Sequence, residues 1–388
     1  MGNNLKPYFF LFLLSFFWHF TFSALGAIII PMYTPKYTIT NEILKNIGLV
    51  EACKEVIDNA PLVPAWEKQF QQEARERTVH YGTRIEGNEL SLAEARRVLE
   101  GEDISARRRD IQEVINYRNV LKYIDELGQE GIREKQWVYT EEQLKKIHTL
   151  TCDRIIQDYE CGAYRTTQVV LKNSFTDEVV FRPVPHLEVP YLVEGFFEWL
   201  NSEEGRRVHP VIRAAIANYV LVDIHPFVEG NGRTSRAFAL VVLFIEGYDI
   251  KKFFSIEERF DKDAASYYGA IQAVTNQDPS LENRDLTPWI EYYTSCLAIE
   301  LSRIKERVRQ LSVDIKLKGK LGKQVSLSER QTKLVEYLQE NGEITTPDAR
   351  KVLPMISDDT ILRDLKDLVK KRIIKKEGKT KAAKYLMR

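Results

Sequence analysis

One run of twelve residues carries most of the chemistry in this chain: His225-Pro226-Phe227-Val228-Glu229-Gly230-Asn231-Gly232-Arg233-Thr234-Ser235-Arg236. A glycine-containing loop entering a helix presents unpaired backbone N–H groups to an anion, and the helix dipole adds favourable potential. Gly230 and Gly232 let the backbone approach closely, because no side chain intervenes. Arg233 and Arg236 stand three apart, so both reach one ligand from the first turns of that helix, and two guanidinium forks at an anion hole suit phosphates. Glu229 offers a hard oxygen ligand of the kind Mg²⁺ takes when it shares phosphate oxygens with a nucleotide. His225, with a reference pKa of about 6.5, is suited to taking a proton from an attacking hydroxyl. Together these residues point to phosphoryl or nucleotidyl transfer to a hydroxyl. A loop that merely caps a helix would leave the same five special positions without a common reason.

Such a site needs firm elements on both sides, and the flanking sequence supplies helices. Ser91 with Glu94, and Thr140 with Gln143, have capping-box spacing, and each opens an amphipathic run. His209 and Pro210 precede a run in which Ile212, Ala215, Ile216, Tyr219 and Val220 recur at helical spacing, and Pro210 suits the first helical position. Residues 233–247 read as a helix apolar on nearly every side, which belongs at the centre of a bundle. Thr287 and Pro288 open a long helix expected to run through Leu311. One stretch, 166–185, has β-branched runs around a polar turn and predicts a β-hairpin inside a helical protein. Residues 312–324 read as a linker. From about 325 the order helix, helix, helix and two-stranded wing resembles a winged helix-turn-helix.

The twelve-residue run resembles the signature of the Fic family, HPFx(D/E)GNGRxxR, at every specified position, and the likeness extends over roughly residues 32–311, including Gly162-Ala163-Tyr164-Arg165. The resemblance implies a mainly α fold: a Fic-type helical core with a β-hairpin flap, plus the small C-terminal winged helix-turn-helix. The expected units are an apolar segment 1–31, an N-terminal helical region 32–130 with an inhibitory motif, a catalytic core 131–311, a linker 312–324 and the winged unit 325–388. The implied activity is protein AMPylation, the transfer of AMP from ATP to a Ser, Thr or Tyr hydroxyl of a target protein. By position, His225 would be the base and Glu229 the Mg²⁺ ligand. Asn231, with the backbone of Gly230 and Gly232, would hold the α-phosphate region, and Arg233 and Arg236 the β- and γ-phosphates. The hairpin 166–182 would align an extended target segment. Tyr267 and Tyr268 resemble the family's paired tyrosines near the adenine, with simple packing as the alternative. Arg84-Ile85-Glu86-Gly87-Asn88 is similar to the family's inhibitory helix, (S/T)xxxE(G/N), so that Glu86 would reach Arg236 and compete with phosphate for its fork. The pattern is broken at one place, where Gly82 stands four residues before Glu86 and Thr83 comes one place late. Two other activities are compatible with these residues: removal of AMP at the same site, and a DNA-binding regulator whose Fic core senses nucleotide.

Composition sets the outer bounds. Across 388 residues Lys plus Arg equals Asp plus Glu at 56 each, yet residues 316–388 hold 19 basic against 10 acidic residues and the remainder 37 against 46. The neutral sum therefore hides an acidic body and a basic tail, whose wing lysines Lys375, Lys376, Lys379, Lys381 and Lys384 suit DNA phosphates, although acidic Asp358 and Asp359 open its third helix. Four cysteines without metal spacing fit buried thiols in a reducing, cytoplasmic compartment. Residues 7–31 lack Asp, Glu, Lys and Arg; as a helix they would be roughly 37 Å long, enough to cross a membrane. A signal anchor, a cleaved signal and a translation start at Met32 all fit that stretch. Self-modification and a homodimer are both compatible with the sequence.

Overall fold

The Thr40 side chain accepts from the Ile43 N–H at 3.2 Å and so caps the first of a series of helices. In chain order these are α1 (Asn41–Asp58), α2 (Pro64–Arg84), α3 (Leu92–Leu99), α4 (Arg108–Gly131) and α5 (Glu141–Cys152). A two-stranded hairpin follows, β1 (Leu171–Lys172) and β2 (Val179–Phe181), then α6 (Val189–Asn201), α7 (Glu203–Arg207), α8 (Pro210–Ile224), α9 (Asn231–Ile245), α10 (Glu257–Lys262), α11 (Ala264–Thr275) and α12 (Thr287–Leu321). The fold is mainly α. This computed structural model describes residues 33–62, 64–131, 133–134, 136–172, 179–321, 327–378 and 383–387. The apolar segment 1–31 and the tip of the hairpin lie outside the described residues. Among the described residues no helix is long and apolar enough to cross a membrane.

Helices α8 and α9 are buried on all sides, as their apolar sequence requires, and pack on each other with α4 and α12 around them. Each fully buried Ile, Val or Phe here stabilises the fold by about 1.5–3 kcal/mol relative to exposure. Some polar groups carried inward are paired: Trp289 Nε1 donates to the Ala215 carbonyl at 2.7 Å, and buried Asp223 pairs with Arg284. Both expected capping boxes, at Ser91 and Thr140, are formed, and Pro210 sits in the first turn of α8. The expected linker needs correction. The last helix of the body does not stop at Leu311 but runs to Leu321, because its Lys and Leu residues are good helix formers and outweigh one interior glycine.

The C-terminal unit has its own core, built on Leu334, Val335, Leu338, Ile344, Ile361, Leu365, Leu368 and Tyr385. Its elements are α13 (Glu329–Asn341), β3 (Glu343–Thr345), α14 (Thr346–Val352), α15 (Asp358–Lys370), β4 (Ile374–Glu377) and β5 (Lys384–Met387). The sheet is antiparallel with order β3-β5-β4, so the expected two-stranded wing gains a short third strand from the segment before α14.

Candidate active site

The loop between α8 and α9 is shaped by two left-handed residues. His225 closes α8 with φ 52°, and Gly230 opens α9 with φ 71°. A Cβ at Gly230 would also lie 2.7 Å from Cys152 Sγ, so glycine is required by conformation and by space. No side chain caps the start of α9, which leaves its first N–H groups to a ligand. Asn231 binds the loop itself, its amide accepting from the Phe227 N–H and donating to the Phe227 carbonyl, both at 2.9 Å. The side chain expected at the α-phosphate is thus committed to loop shape, and what Asn231 offers an anion is its backbone.

His225 is held in one tautomer. Its Nδ1 lies 3.0 Å from the Val222 carbonyl, which only accepts, so Nδ1 carries the proton and Nε2 keeps its lone pair. Burial lowers its pKa to about 4, leaving the ring neutral near pH 7. Arg165 supports the loop from below: its Nε donates to the His225 carbonyl at 2.8 Å, and its other nitrogens bind the carbonyls of Thr167, Val184 and Ile224. The same guanidinium therefore ties the base of the hairpin to the loop that begins at His225. Phe181 of β2 approaches the His225 ring edgewise, centroids 6.0 Å apart. His148, on α5, stacks on Phe227 with centroids 3.8 Å apart and donates from Nε2 to the Glu229 carbonyl at 2.9 Å. Its Nδ1 accepts the Gly162 N–H at 2.8 Å, and burial lowers its pKa to about 4.

Glu86 lies in the turn after α2 and enters the anion hole. Its Oε1 accepts from Arg236 Nη2 at 2.9 Å and its Oε2 from Arg233 Nε at 3.1 Å. Burial opposes its charge, but Arg236 and Arg233 outweigh that and hold the carboxyl below the usual range. The contact depends on Gly232, where a Cβ would fall 2.2 Å from Glu86 Oε1. The departure at Gly82 has a packing reason. A Cβ there would lie 2.5 Å from the Tyr117 ring, and the Gly82 carbonyl accepts from Arg236 at 2.8 Å. Thr83, one place late, turns its hydroxyl back to the Val79 and His80 carbonyls of its own helix.

Two residues of α4 enter the site without having been read from sequence. Glu113 pairs with Arg233 at 3.1 Å and accepts from Asn88 at 2.9 Å, while Arg109 pairs with both Glu113 and Glu229. Arg233 reaches all three carboxylates, since Glu229 lies 3.5 Å from its Nη2. Arg109 sits in a four-residue charged run, 107–110, which by sequence reads as a solvated surface. The tyrosine pair divides its roles. Tyr267 is buried among Phe260, Trp289 and Tyr292, whereas Tyr268 is half-exposed and donates its hydroxyl to the Ile85 carbonyl at 3.0 Å, next to Glu86.

The residues present fit a divalent cation shared with phosphates. Glu229 is partly exposed, and its Oε1 already holds one cationic group, the guanidinium of Arg109. Among the described residues no cluster of three His, Cys, Asp or Glu could hold a metal alone.

The profile described as "Fic/DOC family" matches residues 138–243, and the one described as "DeoR-like helix-turn-helix domain" matches residues 330–378. A protein adenylyltransferase Fic from Culex quinquefasciatus is 28% identical over 261 residues, covering 65% of this chain and 46% of that protein. One from Drosophila mojavensis is 32% identical over 187 residues, covering 47% and 34%. The chain thus spans between a third and a half of the length of these curated relatives. Among solved structures, a Fic family protein from Desulfovibrio desulfuricans shares the fold, with TM-score 0.60 at 21% identity over 92% of this chain and 98% of that one. Fic-1 from C. elegans gives TM-score 0.51 at 25% identity, covering 67% and 72%. The loop with its histidine, anion hole and paired arginines lies inside the stretch that matches the Fic/DOC family, and residues 330–378 match a DeoR-like helix-turn-helix domain: over these two stretches the chain is similar to Fic proteins and to DeoR-like helix-turn-helix domains.

Proposed function

We propose that the chain is a protein adenylyltransferase that rests in an inhibited state. The observation that carries the reading is Glu86 lodged between Arg233 and Arg236, opposite a neutral histidine whose Nε2 is free to accept a proton. With Glu86 withdrawn, the two guanidiniums and the start of α9 would hold the polyphosphate of ATP. A target hydroxyl would give its proton to His225 Nε2 as its oxygen bonds to the α-phosphorus; the α–β phosphoanhydride bond breaks and pyrophosphate leaves. Mg²⁺ held at Glu229 would supply charge neutralisation to the phosphates. Arg165 and His148 hold the loop rigid, and the β1–β2 hairpin offers backbone to an extended target segment.

The test uses labelled ATP and Mg²⁺ with the full chain. Glu86→Gly is expected to transfer label to itself or to a target at a rate well above wild type, and Glu86→Gly with His225→Ala to transfer none. Label transfer that persists without His225 sinks the reading. Glu86→Gly is also expected to show a larger ATP-induced rise in Tm than wild type, since ligand binding only to the open site stabilises by about 2.7 kcal/mol at a hundredfold excess over Kd. Removal of AMP is the second reading, favoured by a carboxylate already seated in the site; it requires that Glu86→Gly lose activity on a pre-modified target.

We further propose that the C-terminal unit binds DNA. The outer face of α15 carries Arg363, Lys366 and Lys370, all exposed, while Asp358 is drawn aside by Arg350. Against this, Lys375 and Lys384 of the wing are paired with Glu377 and Glu343. Binding that is insensitive to salt, or unaffected by Arg363→Ala, would argue for a protein partner instead.

A further inference from the structure

We propose that Arg109 is a cation latch: its guanidinium stands against the Glu229 carboxylate where the divalent ion of the nucleotide would sit, and must retire before that ion is held. This inference rests on the reading of Glu229 as the carboxylate for that ion. Three observations carry it.

The first is chemical. Arg109 Nη2 pairs with Glu229 Oε1, so one oxygen of the carboxylate read as the metal ligand already faces a positive group. A guanidinium and a divalent cation compete for the same lone pairs. The second is that the latch has somewhere to go. Arg109 Nε lies 3.2 Å from Glu113 Oε1, one turn further along α4, and the Arg109 side chain is 55% exposed. It can therefore swing off Glu229 and keep an ion-pair partner, with little cost from burial.

The third is connection. Glu113 accepts from Asn88 at 2.9 Å, Arg107 donates to the Gly87 carbonyl, and the Glu89 N–H binds Asp110, so the first turns of α4 hold the segment immediately after Glu86. Glu113 and Glu229 alternate with Arg109 and Arg233 in one ring of opposite charges, and Glu86, which also holds Arg236, joins that ring through Arg233. Withdrawal of Glu86 and its turn removes one carboxylate from Arg233 and loosens Asn88 from Glu113 Oε2, which frees a second Glu113 oxygen for Arg109. The inhibitory turn and the metal carboxylate thus share a single helix, and Arg109 is the positioning residue between them.

The experiment measures ATP binding calorimetrically to the full chain carrying Glu86→Gly, with and without Arg109→Ala, in EDTA and across a Mg²⁺ titration. Arg109→Ala is expected to lower the Mg²⁺ concentration that half-saturates the metal-dependent gain in ATP affinity by about twofold to fivefold, the size of a partly exposed ion pair. Affinity in EDTA should be unchanged, and Arg109→Lys should restore most of the Mg²⁺ requirement. An unchanged Mg²⁺ midpoint overturns the latch while leaving the proposed function intact. A loss of affinity in EDTA as large as that in Mg²⁺ also overturns it, because Arg109 would then be touching phosphate. No ATP binding to either chain overturns both the latch and the adenylyltransferase reading.

Discussion

His225 combines two features that sequence spacing alone does not supply, a fixed tautomer and a depressed pKa. The Val222 carbonyl fixes the proton on Nδ1, and burial lowers the pKa to about 4. A base with that value is neutral throughout the range in which an ordinary histidine titrates. The pH profile of kcat/KM for the Glu86→Gly chain should therefore stay flat on its acid side down to about pH 5 and fall only as the pH approaches 4. An acid limb near 6.5 would mean that the ring is solvated in the working state. Replacing His225 by Ala should remove detectable label transfer, since a general base usually contributes roughly 10²- to 10⁴-fold in rate, with ATP-induced stabilisation unchanged. At the same scale Asn231 shows how a motif residue can serve geometry: Asn231→Ala leaves Phe227 N–H and C=O unpaired, so both activity and Tm should fall.

The proposed inhibitory device is a property of elements. Helix α2 ends where Gly82 passes under Tyr117, and the turn beyond it is fastened on both sides, by Tyr268 from α11 and by Asn88 to α4. Tyr268→Phe removes one hydrogen bond to Ile85, worth about 0.5–1.5 kcal/mol, while leaving the ring in place. Basal transfer should rise by a few-fold to about tenfold, measured with labelled ATP on an otherwise wild-type chain. Gly82→Ala drives a methyl into the Tyr117 ring, so it should lower Tm and also weaken inhibition, because the Gly82 carbonyl moves off Arg236. An inhibited, fully stable Gly82→Ala protein would show that the helix end can shift without disturbing Glu86.

The whole molecule carries its stability in a body and a tail with separate cores. In the body, His80, His148 and His225 each have a folded pKa of about 4, from burial in every case. Unfolded histidines titrate near 6.5, so between about pH 6.5 and 4 the unfolded chain binds more protons than the folded one. Stability is accordingly complete above that window and is lost as pH falls through it. Glu86, Glu73 and Glu258, held below the normal carboxylate range, act in the same direction at the lower end. A scan of Tm against pH should drop from 6.5 to 4, less steeply than three buried histidines alone would give, because buried Glu257, whose pKa burial raises to about 7, gains stability as pH falls through the same range. Because the cores are separate, a chain ending at residue 321 should keep both its transition and its label transfer.

The sequence by itself determined which residues of the α8–α9 loop stand together. His225, Glu229, Gly230, Gly232, Arg233 and Arg236 are close in the chain, so one turn into one helix was bound to bring them together, and local periodicity was enough to give the helices and caps that carry them. Glu86 was legible for a different reason, a short motif with a known spacing. The tertiary structure alone decided what meets that loop from elsewhere: Arg109 and Glu113 on α4, Tyr268 beside the inhibitory turn, Arg165 beneath His225, and Tyr117 in the space that Gly82 leaves. These contacts join residues that lie from 35 to 183 positions apart. No periodicity or propensity links such distant positions; packing does, by bringing helix faces together and leaving each charge only the partners within its reach.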